Sequence, residues 1–310
     1  MSEYKFSIEA KNVNKIYKKK DGTKIEALNN FNINIPKGSI YGLLGPNGAG
    51  KSTFINILGN LVNKDSGTIK ISGIDLDQDS KYCRKKIGIV PQELNIDPFF
   101  TPIELLNLQS GLYGVRKNHN NCEKILEKLG LIEQKNSYAR TLSGGMRRRL
   151  LVAKALVHNP DIIILDEPTA GVDVSLRRML WDYIKELKDN GKTICLTTHY
   201  LEEAEILCDE ITIINKGKII KNDLKDNFVN LFSEKKVTFL LNNNEFQIPK
   251  ELNEYNPIKI KNKISLTYNI KKISLKKIIK IFDDNEIEFS EIKTEEGSLE
   301  KTFIKLIKDV

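Results

Sequence analysis

No stretch of this chain approaches the ~18 consecutive apolar residues that a membrane-spanning helix needs, and no charged-then-apolar leader opens it. The sequence therefore predicts a protein that neither crosses a membrane nor is secreted by a standard signal. Cysteine is scarce as well: Cys83, Cys122, Cys195 and Cys208 show no C-x-x-C spacing and no neighbouring histidine cluster. That argues against a zinc site or a disulfide frame and leaves reduced cytosolic thiols as the expectation. Tryptophan occurs once, at Trp181, where packing is expected rather than cofactor contact. Arginine is sparse beside lysine, so the net charge of +8 is spread through lysines interleaved with Asn, Glu and Ile. A nucleic-acid groove usually concentrates arginine, so the charge reads as solvated surface. The one tight run of arginines is Arg147, Arg148 and Arg149.

The 310 residues are 40% hydrophobic and 29% charged, which describes a soluble globular protein with one large domain and a small one. At its centre lies GPNGAGKST: Gly45, Pro46, Asn47, Gly48, Ala49, Gly50, Lys51, Ser52 and Thr53. An apolar run, residues 40–44, precedes it, and Phe54, Ile57, Leu58 and Leu61 follow at helical spacing. A glycine-rich loop between a strand and a helix is the setting that the phosphate-loop pattern G-x-x-x-x-G-K-[ST] requires. Its backbone N–H groups converge on phosphate oxygens, and the helix that follows adds the positive end of its dipole. Lys51 supplies a point charge for the β- and γ-phosphates of ATP, and Ser52 a hydroxyl for Mg²⁺.

Around this loop the chain alternates strand and helix. Residues 6–17 and 25–35 read as strands about a turn at Asp21-Gly22, with Tyr17 just before the turn. An aromatic there can stack on an adenine, and a plain strand aromatic is the competing reading. Residues 66–73 and 86–92 read as further strands. From 93 to about 158 the pattern is helical: Thr101, Pro102 and Glu104 form a capping box, and Leu105, Leu108 and Leu112 suggest one apolar face. A second helix ends at Gly130. In the third, Ser143 suits an N-cap, while Gly144 and Gly145 leave first-turn N–H groups open as a second anion site, with Arg147 to Arg149 partly solvated. Residues 161–168, DIIILDEP, make a buried strand ending in Asp166 and Glu167, where ligands bind in open α/β sheets. Asp166 is placed to hold Mg²⁺ and Glu167 to act as general base for a water attacking the γ-phosphate. His199 ends another buried strand and is expected to make a polar contact to phosphate. Beyond residue 222 a connecting helix leads to strands at 237–241, 245–248, 263–270 and 286–292, with helices at 274–282 and 298–307, and no catalytic constellation.

GPNGAGKST, the VPQ ending at Gln92, LSGGM, IIILDEPTAGVD and TTH at His199, in this order, resemble the nucleotide-binding subunit of ABC transporters over about the first 220 residues. The wording AGVD and TTHYLEEAE is most similar to daunorubicin-resistance-like exporters, in which the ATPase chain is separate from the membrane chain. The resemblance implies an α/β fold: a RecA-like P-loop NTPase core with an antiparallel β subdomain and an inserted helical subdomain, residues 1–221, followed by a small α+β domain, residues 222–310. It implies ATP and Mg²⁺ as cofactors, with Gln92 joining Ser52 and Asp166 at the metal and joining Glu167 and His199 in catalysis. Tyr17 matches the adenine-stacking aromatic and Asp173 the loop that follows the acidic pair. It further implies a head-to-tail homodimer in which Ser143, Gly144 and Gly145 of one protomer close on the ATP of the other. A polytopic membrane permease is the implied partner, with the chain cytoplasmic and peripheral on the inner face of the cell membrane and no nucleic acid bound. Met146, and Gly171-Val172-Asp173, depart from the commonest family wording and place the chain in a subfamily. A soluble ABC ATPase acting on nucleic acid or the ribosome is the alternative; it is disfavoured by a single cassette and by the lack of sustained heptads.

Overall fold

Alternation of apolar and polar residues drives the N-terminal segment into strands. The computed structural model describes residues 4–116, 121–169, 172–198, 200–230, 234–242, 247–269, 272–295, 303 and 306. In it β1 (Phe6–Lys18) and β2 (Lys24–Pro36) pair antiparallel about the turn at Gly22. With β4 (Ser66–Ile71) and β5 (Ile74–Asp75) they make a four-stranded sheet ordered β2-β1-β4-β5. The inward residues Ile8, Ala10, Leu28, Phe31, Ile33, Ile69 and Ile71 are buried, as a period of two on a half-buried sheet requires.

The second sheet holds the strands without alternation. β3 (Ile40–Leu44), β6 (Ile87–Val90), β7 (Ile162–Asp166) and β8 (Thr193–Thr198) run parallel, joined by β9 (Glu210–Asn215) and, at the edge, β10 (Lys218–Leu224), in the order β10-β9-β3-β8-β7-β6. Every residue of β3, β7 and β8 is buried, because helices cover both faces of a parallel sheet. α1 (Lys51–Leu58) follows β3 and packs between the two sheets, its Phe54 ring 4.9 Å from Phe31 of β2. α2 (Ser80–Lys86), α3 (Pro102–Leu112), α4 (Cys122–Lys128), α5 (Gly144–Leu156), α6 (Val174–Asp189) and α7 (Leu201–Leu207) complete this unit. α5 lies so close to β6 that a Cβ on Gly88 would come within 2.3 Å of the Ala155 carbonyl.

The helical block carries the capping box at Thr101 and Glu104, and the left-handed Gly130 just after α4. The apolar face expected on α3 is different, however. Pro102, Leu105 and Leu106 are buried, while Leu108 and Leu112 are 50% and 75% exposed. α3 packs on α4 and α5 through a face that carries Leu105, Leu106 and, further on, Ser110, so Leu108 and Leu112 point away from the core. α2 was not expected: only Cys83 of its seven residues is buried, too few for a periodic signal, and its start is fixed by Asp79 accepting from the Tyr82 amide at 2.8 Å.

By its contacts the chain divides into two units, Met1–Asp223 and Leu224–Val310. The second opens with α8 (Lys225–Asn230) and contains an antiparallel sheet of β11 (Glu234–Leu241), β12 (Ile258–Ile260), β13 (Lys263–Asn269) and β14 (Phe289–Glu295), ordered β12-β13-β11-β14. α9 (Leu275–Asp284) covers one face, burying Ile278 and Phe282 against Val237, Phe239, Ile264 and Leu266. The strand expected at 245–248 is not formed at Gln247 and Ile248, which lead instead into a 3-10 turn, Lys250–Tyr255; residues 245 and 246 lie outside the described residues. β14 starts three residues later than expected because the end of α9 uses the first of them. The Glu286 amide donates to Asp283 and the Ile287 amide to Phe282, a Schellman closure with Glu286 at φ 55 in the left-handed position. The helix expected at 298–307 falls outside the described residues except for Phe303 and Leu306.

The ring of Phe239 stacks at 4.2 Å on Phe282 and meets Phe289 edge-on at 5.1 Å. Phe239→Ala is expected to destabilise the second unit by about 3–5 kcal/mol, the usual cost of emptying a buried phenylalanine site. Differential scanning calorimetry checks it: one transition moves down, and a scan superimposable on wild type contradicts this packing.

Candidate nucleotide-binding and catalytic site

Parallel strands put all their carboxyl ends along one edge of the sheet, and this is where the polar residues gather. β3 runs into the phosphate loop, β6 into Pro91 and Gln92, β7 into Asp166 and Glu167, and β8 into Thr198. Registers Leu44 with Thr198, Asp166 with Thr197 and Val90 with Leu165 set these ends level with one another.

The loop's curl depends on Gly50, which caps α1 at φ 112 and passes so close to the Ala27 carbonyl that a Cβ would sit 2.4 Å from it. No side chain caps the first turn of α1, so its N–H groups face the loop's concavity. The hairpin between β9 and β10 braces the loop from outside: Gly217 donates to the Ala49 carbonyl at 2.9 Å and accepts from Asn29 at 2.9 Å. Lys51 is 6% exposed, and its ammonium donates to the carbonyls of Gly45 (2.6 Å) and Pro46 (3.1 Å). Burial holds this ammonium below the ordinary lysine value, against the pull of nearby Glu167 and Asp166.

Ser52, Asp166, Glu167 and Gln92 are brought together. The Ser52 hydroxyl lies 3.4 Å from Asp166 Oδ2, while Asp166 Oδ1 accepts from the Thr197 hydroxyl at 2.5 Å. The Gln92 amide donates to Glu167 Oε2 at 3.1 Å. The donor set on this side is hydroxyl, amide carbonyl and carboxylate oxygen, which suits a hard octahedral cation that keeps waters and shares the substrate's phosphates. Ser52, Asp166 and Gln92 are thus the residues fit to hold Mg²⁺, and among the described residues no group of three or more His, Cys, Asp or Glu side chains forms a separate metal cage.

His199 lies outside the described residues, as do Ala170 and Gly171. Tyr17 sits on β1 opposite Ile25, 37% exposed, with the Lys15 ammonium 5.4 Å from its ring centre. Ser143 caps α5 by accepting from the Met146 amide at 3.2 Å. A Cβ on Gly144 would meet open space, whereas one on Gly145 would press the Leu176 side chain at 2.7 Å. Packing accounts for the second glycine of the pair and leaves the first open to a ligand. No hydrogen bond among the described residues joins Ser143, Gly144 or Gly145 to residues 45–53. Asp173 caps α6, accepting from the Leu176 amide at 2.9 Å, and that bond holds its carboxyl below the ordinary aspartate value. Trp181 packs in the core with its indole N–H on the buried Glu203 at 3.0 Å; burial raises the Glu203 carboxyl above the ordinary glutamate value.

Two site residues escaped sequence reasoning. Thr197 both orients Asp166 and accepts from the Glu167 amide at 3.2 Å, a role visible only once β7 and β8 are known to be neighbours. Arg148 and Arg149 are buried, not partly solvated: Arg149 donates to the Leu129 and Gly130 carbonyls at the end of α4, and Arg148 reaches the turn carrying Glu167. Thr197→Val keeps the shape and removes the hydroxyl. It is expected to cost about 1–3 kcal/mol, because a buried carboxylate oxygen loses its donor. Urea denaturation measures it, and an unchanged midpoint contradicts the assigned bond.

A family model described as ABC transporter matches residues 28–170. The linearmycin resistance ATP-binding protein LnrL of Bacillus subtilis (strain 168) is 40% identical over 217 residues, 69% of this chain and 68% of that protein. The daunorubicin/doxorubicin resistance ATP-binding protein DrrA of Streptomyces peucetius is 38% identical over 216 residues, 69% of this chain and 64% of that one. Among solved structures, a dimeric ATP-binding cassette in a post-hydrolysis state, bound to ADP and Pi, is similar with a TM-score of 0.64 at 30% identity, covering 70% of this chain and 98% of the other. Shared sequence over two thirds of both LnrL and this chain, and a shared cassette fold, agree with a phosphate loop facing an acidic strand end: the chain belongs to the ABC transporter family, among its ATP-binding proteins.

Proposed function

We propose that this chain binds and hydrolyses ATP to power export through a separate membrane-spanning permease. The observation that carries the reading is the convergence of the phosphate loop with the paired carboxylates, Ser52 facing Asp166 and Gln92 bonded to Glu167. In the first unit, Met1–Asp223, the loop amides and Lys51 grip the phosphates; to do so the Lys51 ammonium exchanges its bonds to Gly45 and Pro46 for phosphate oxygens. Ser52, Asp166 and Gln92 would hold Mg²⁺, which would supply neutralisation of the substrate's phosphate charge. Glu167 orients the attacking water and takes its proton, and His199 at the end of β8 contacts the γ-phosphate. Tyr17 stacks on the adenine.

The first turn of α5 with its open Gly144 is remote in hydrogen bonding from the loop of its own chain. In a head-to-tail dimer that turn, with Ser143 and Gly145, closes over the nucleotide held by the partner, and Asp173 follows it into the interface. The named relatives are resistance ATP-binding proteins, which supports export as the work done. Among the described residues no helix is long and apolar enough to cross a membrane; in this reading another, polytopic chain supplies the spanning pathway. A groove of about 370 Å³ between α3, α5 and the end of β6, lined by Leu61, Ile89, Pro91, Tyr113 and Leu151, is the place for a helix of that permease. The exposed Leu108 and Leu112 belong to the same helix, α3. The chain then sits peripherally on the inner face of the membrane. Leu224–Val310 serves as an accessory domain, its described residues presenting no catalytic cluster.

Glu167→Gln keeps the shape of the side chain and removes the base. Hydrolysis is expected to slow by about 10²–10⁴, the usual worth of general-base help, while ATP affinity stays. Phosphate release measured beside size-exclusion chromatography in Mg-ATP tests both halves: the inactive variant elutes as a dimer with ATP. Wild-type turnover removes Glu167 from the role, and an inactive variant that binds ATP yet stays monomeric counts against the shared site. Lys51→Ala is expected to abolish ATP binding by calorimetry, and unchanged affinity sinks the loop assignment.

A further inference from the structure

Arg148 presents the five N–H donors of a guanidinium, and each finds a backbone carbonyl. Nε donates to Pro168 at 3.0 Å. Nη1 donates to Pro91 at 2.8 Å and to Gln92 at 2.7 Å. Nη2 donates to Asp166 at 3.1 Å and to Glu167. The side chain is 2% exposed, and burial pulls its cation below the ordinary arginine value against the attraction of Asp166 and Glu167. One side chain of α5 therefore grips the two segments that carry Gln92 and Glu167, which are 75 residues apart in sequence.

A second observation shows what the grip holds. Glu167 is at φ 50, the left-handed region that costs a side-chain-bearing residue free energy and persists only where the surroundings over-determine it. On its amide side the turn is tied to β8, the Glu167 N–H reaching the Thr197 carbonyl at 3.0 Å. On its carbonyl side Arg148 ties three successive residues, Asp166, Glu167 and Pro168. Lysine has three donors on a single centre and methionine has none, so neither can span both segments in this planar fork.

We infer that Arg148 is a positioning residue for hydrolysis: it holds the strained turn of Glu167 against the Gln92 segment and ties both to the first turn of α5. The inference rests on the reading of Glu167 as base, but its structural half stands apart from that reading. Arg148 touches neither the phosphate loop nor any reacting atom. Its removal is therefore predicted to spare nucleotide binding and to misplace the carboxylate.

The test uses the full chain with Arg148→Lys and Arg148→Met. In hydrogen–deuterium exchange without nucleotide, peptides spanning 91–92 and 166–169 are expected to exchange faster in both variants, with the 45–53 peptide as in wild type. In steady-state ATPase assays, corrected for sites titrated with a fluorescent ATP analogue, KM stays and kcat falls, by about 10²-fold in Arg148→Met, the scale of a misplaced catalytic group, and by less in Arg148→Lys. If Arg148→Met does not fold, Arg148→Lys carries both measurements. Wild-type exchange at 91–92 and 166–169 in the variants overturns the inference whether or not the protein hydrolyses ATP. Wild-type kcat per titrated site, or a loss of activity matched by a loss of titratable sites, overturns it too. An inactive wild type with altered exchange in the variants instead removes the proposed ATPase function and leaves the clasp.

Discussion

Four charged side chains share one buried edge of the parallel sheet: Lys51, Arg148, Asp166 and Glu167. Burying a charge is costly unless it is paired and hydrogen-bonded, and nearly everything else in the first unit serves that requirement. The two cations and two anions balance in number, and the hydrogen bonds described for them go to neutral partners. Lys51 lies on the carbonyls of its own loop and Arg148 on five carbonyls of two strand ends. Asp166 is held by the Thr197 hydroxyl and Glu167 by the Gln92 amide. Neutral dipoles fixed by the sheet carry the charges, so the edge is electrostatically prepared before any ligand arrives.

That preparation needs parallel strands. Only a parallel sheet brings the ends of β3, β6, β7 and β8 to one side, and only its buried interior forces those strands to read as continuous apolar runs. Those runs are why the site was largely legible. The Gly45–Thr53 loop is a local pattern between a strand and a helix, and Asp166 and Glu167 end an unbroken run of isoleucines. The caps at Thr101 and Ser143 are equally local, each a side chain bonding an amide three residues on.

What was not legible depends on neighbours distant in sequence. Thr197 sits in a strand like any threonine until the register with Asp166 is known. Arg148 and Arg149 read as part of a partly solvated basic run, because sequence does not reveal that a helix start will be covered by strand ends on one side and the end of α4 on the other. Leu105, Leu108 and Leu112 show the converse error. Helical spacing identifies a face but not what the face meets, and here α3 turns Leu105, Leu106 and Ser110 to the core and leaves Leu108 and Leu112 bare. Glu286 is a further case: a glycine at that position would have announced the end of α9, and a glutamate in the same left-handed conformation hid it.

The same buried edge explains how nucleotide binding can reach the rest of the cassette. A triphosphate brings several negative charges to a site whose cations already have partners, so binding is an exchange of bonds, not an addition. In the proposed function Lys51 would give up loop carbonyls for phosphate, and the Gln92 amide, now bonded to Glu167, would meet a competing set of oxygens. Gln92 begins the segment that leads into α3, and its carbonyl is held by Arg148 of α5. In the proposed function a shift of Gln92 toward phosphate would pull against the clasp that fixes the turn of Glu167 and ties it to α5. The turn of Glu167, the Gln92 segment and α5 share one set of hydrogen bonds through Arg148, so a change at the phosphates is expected to be felt at all three.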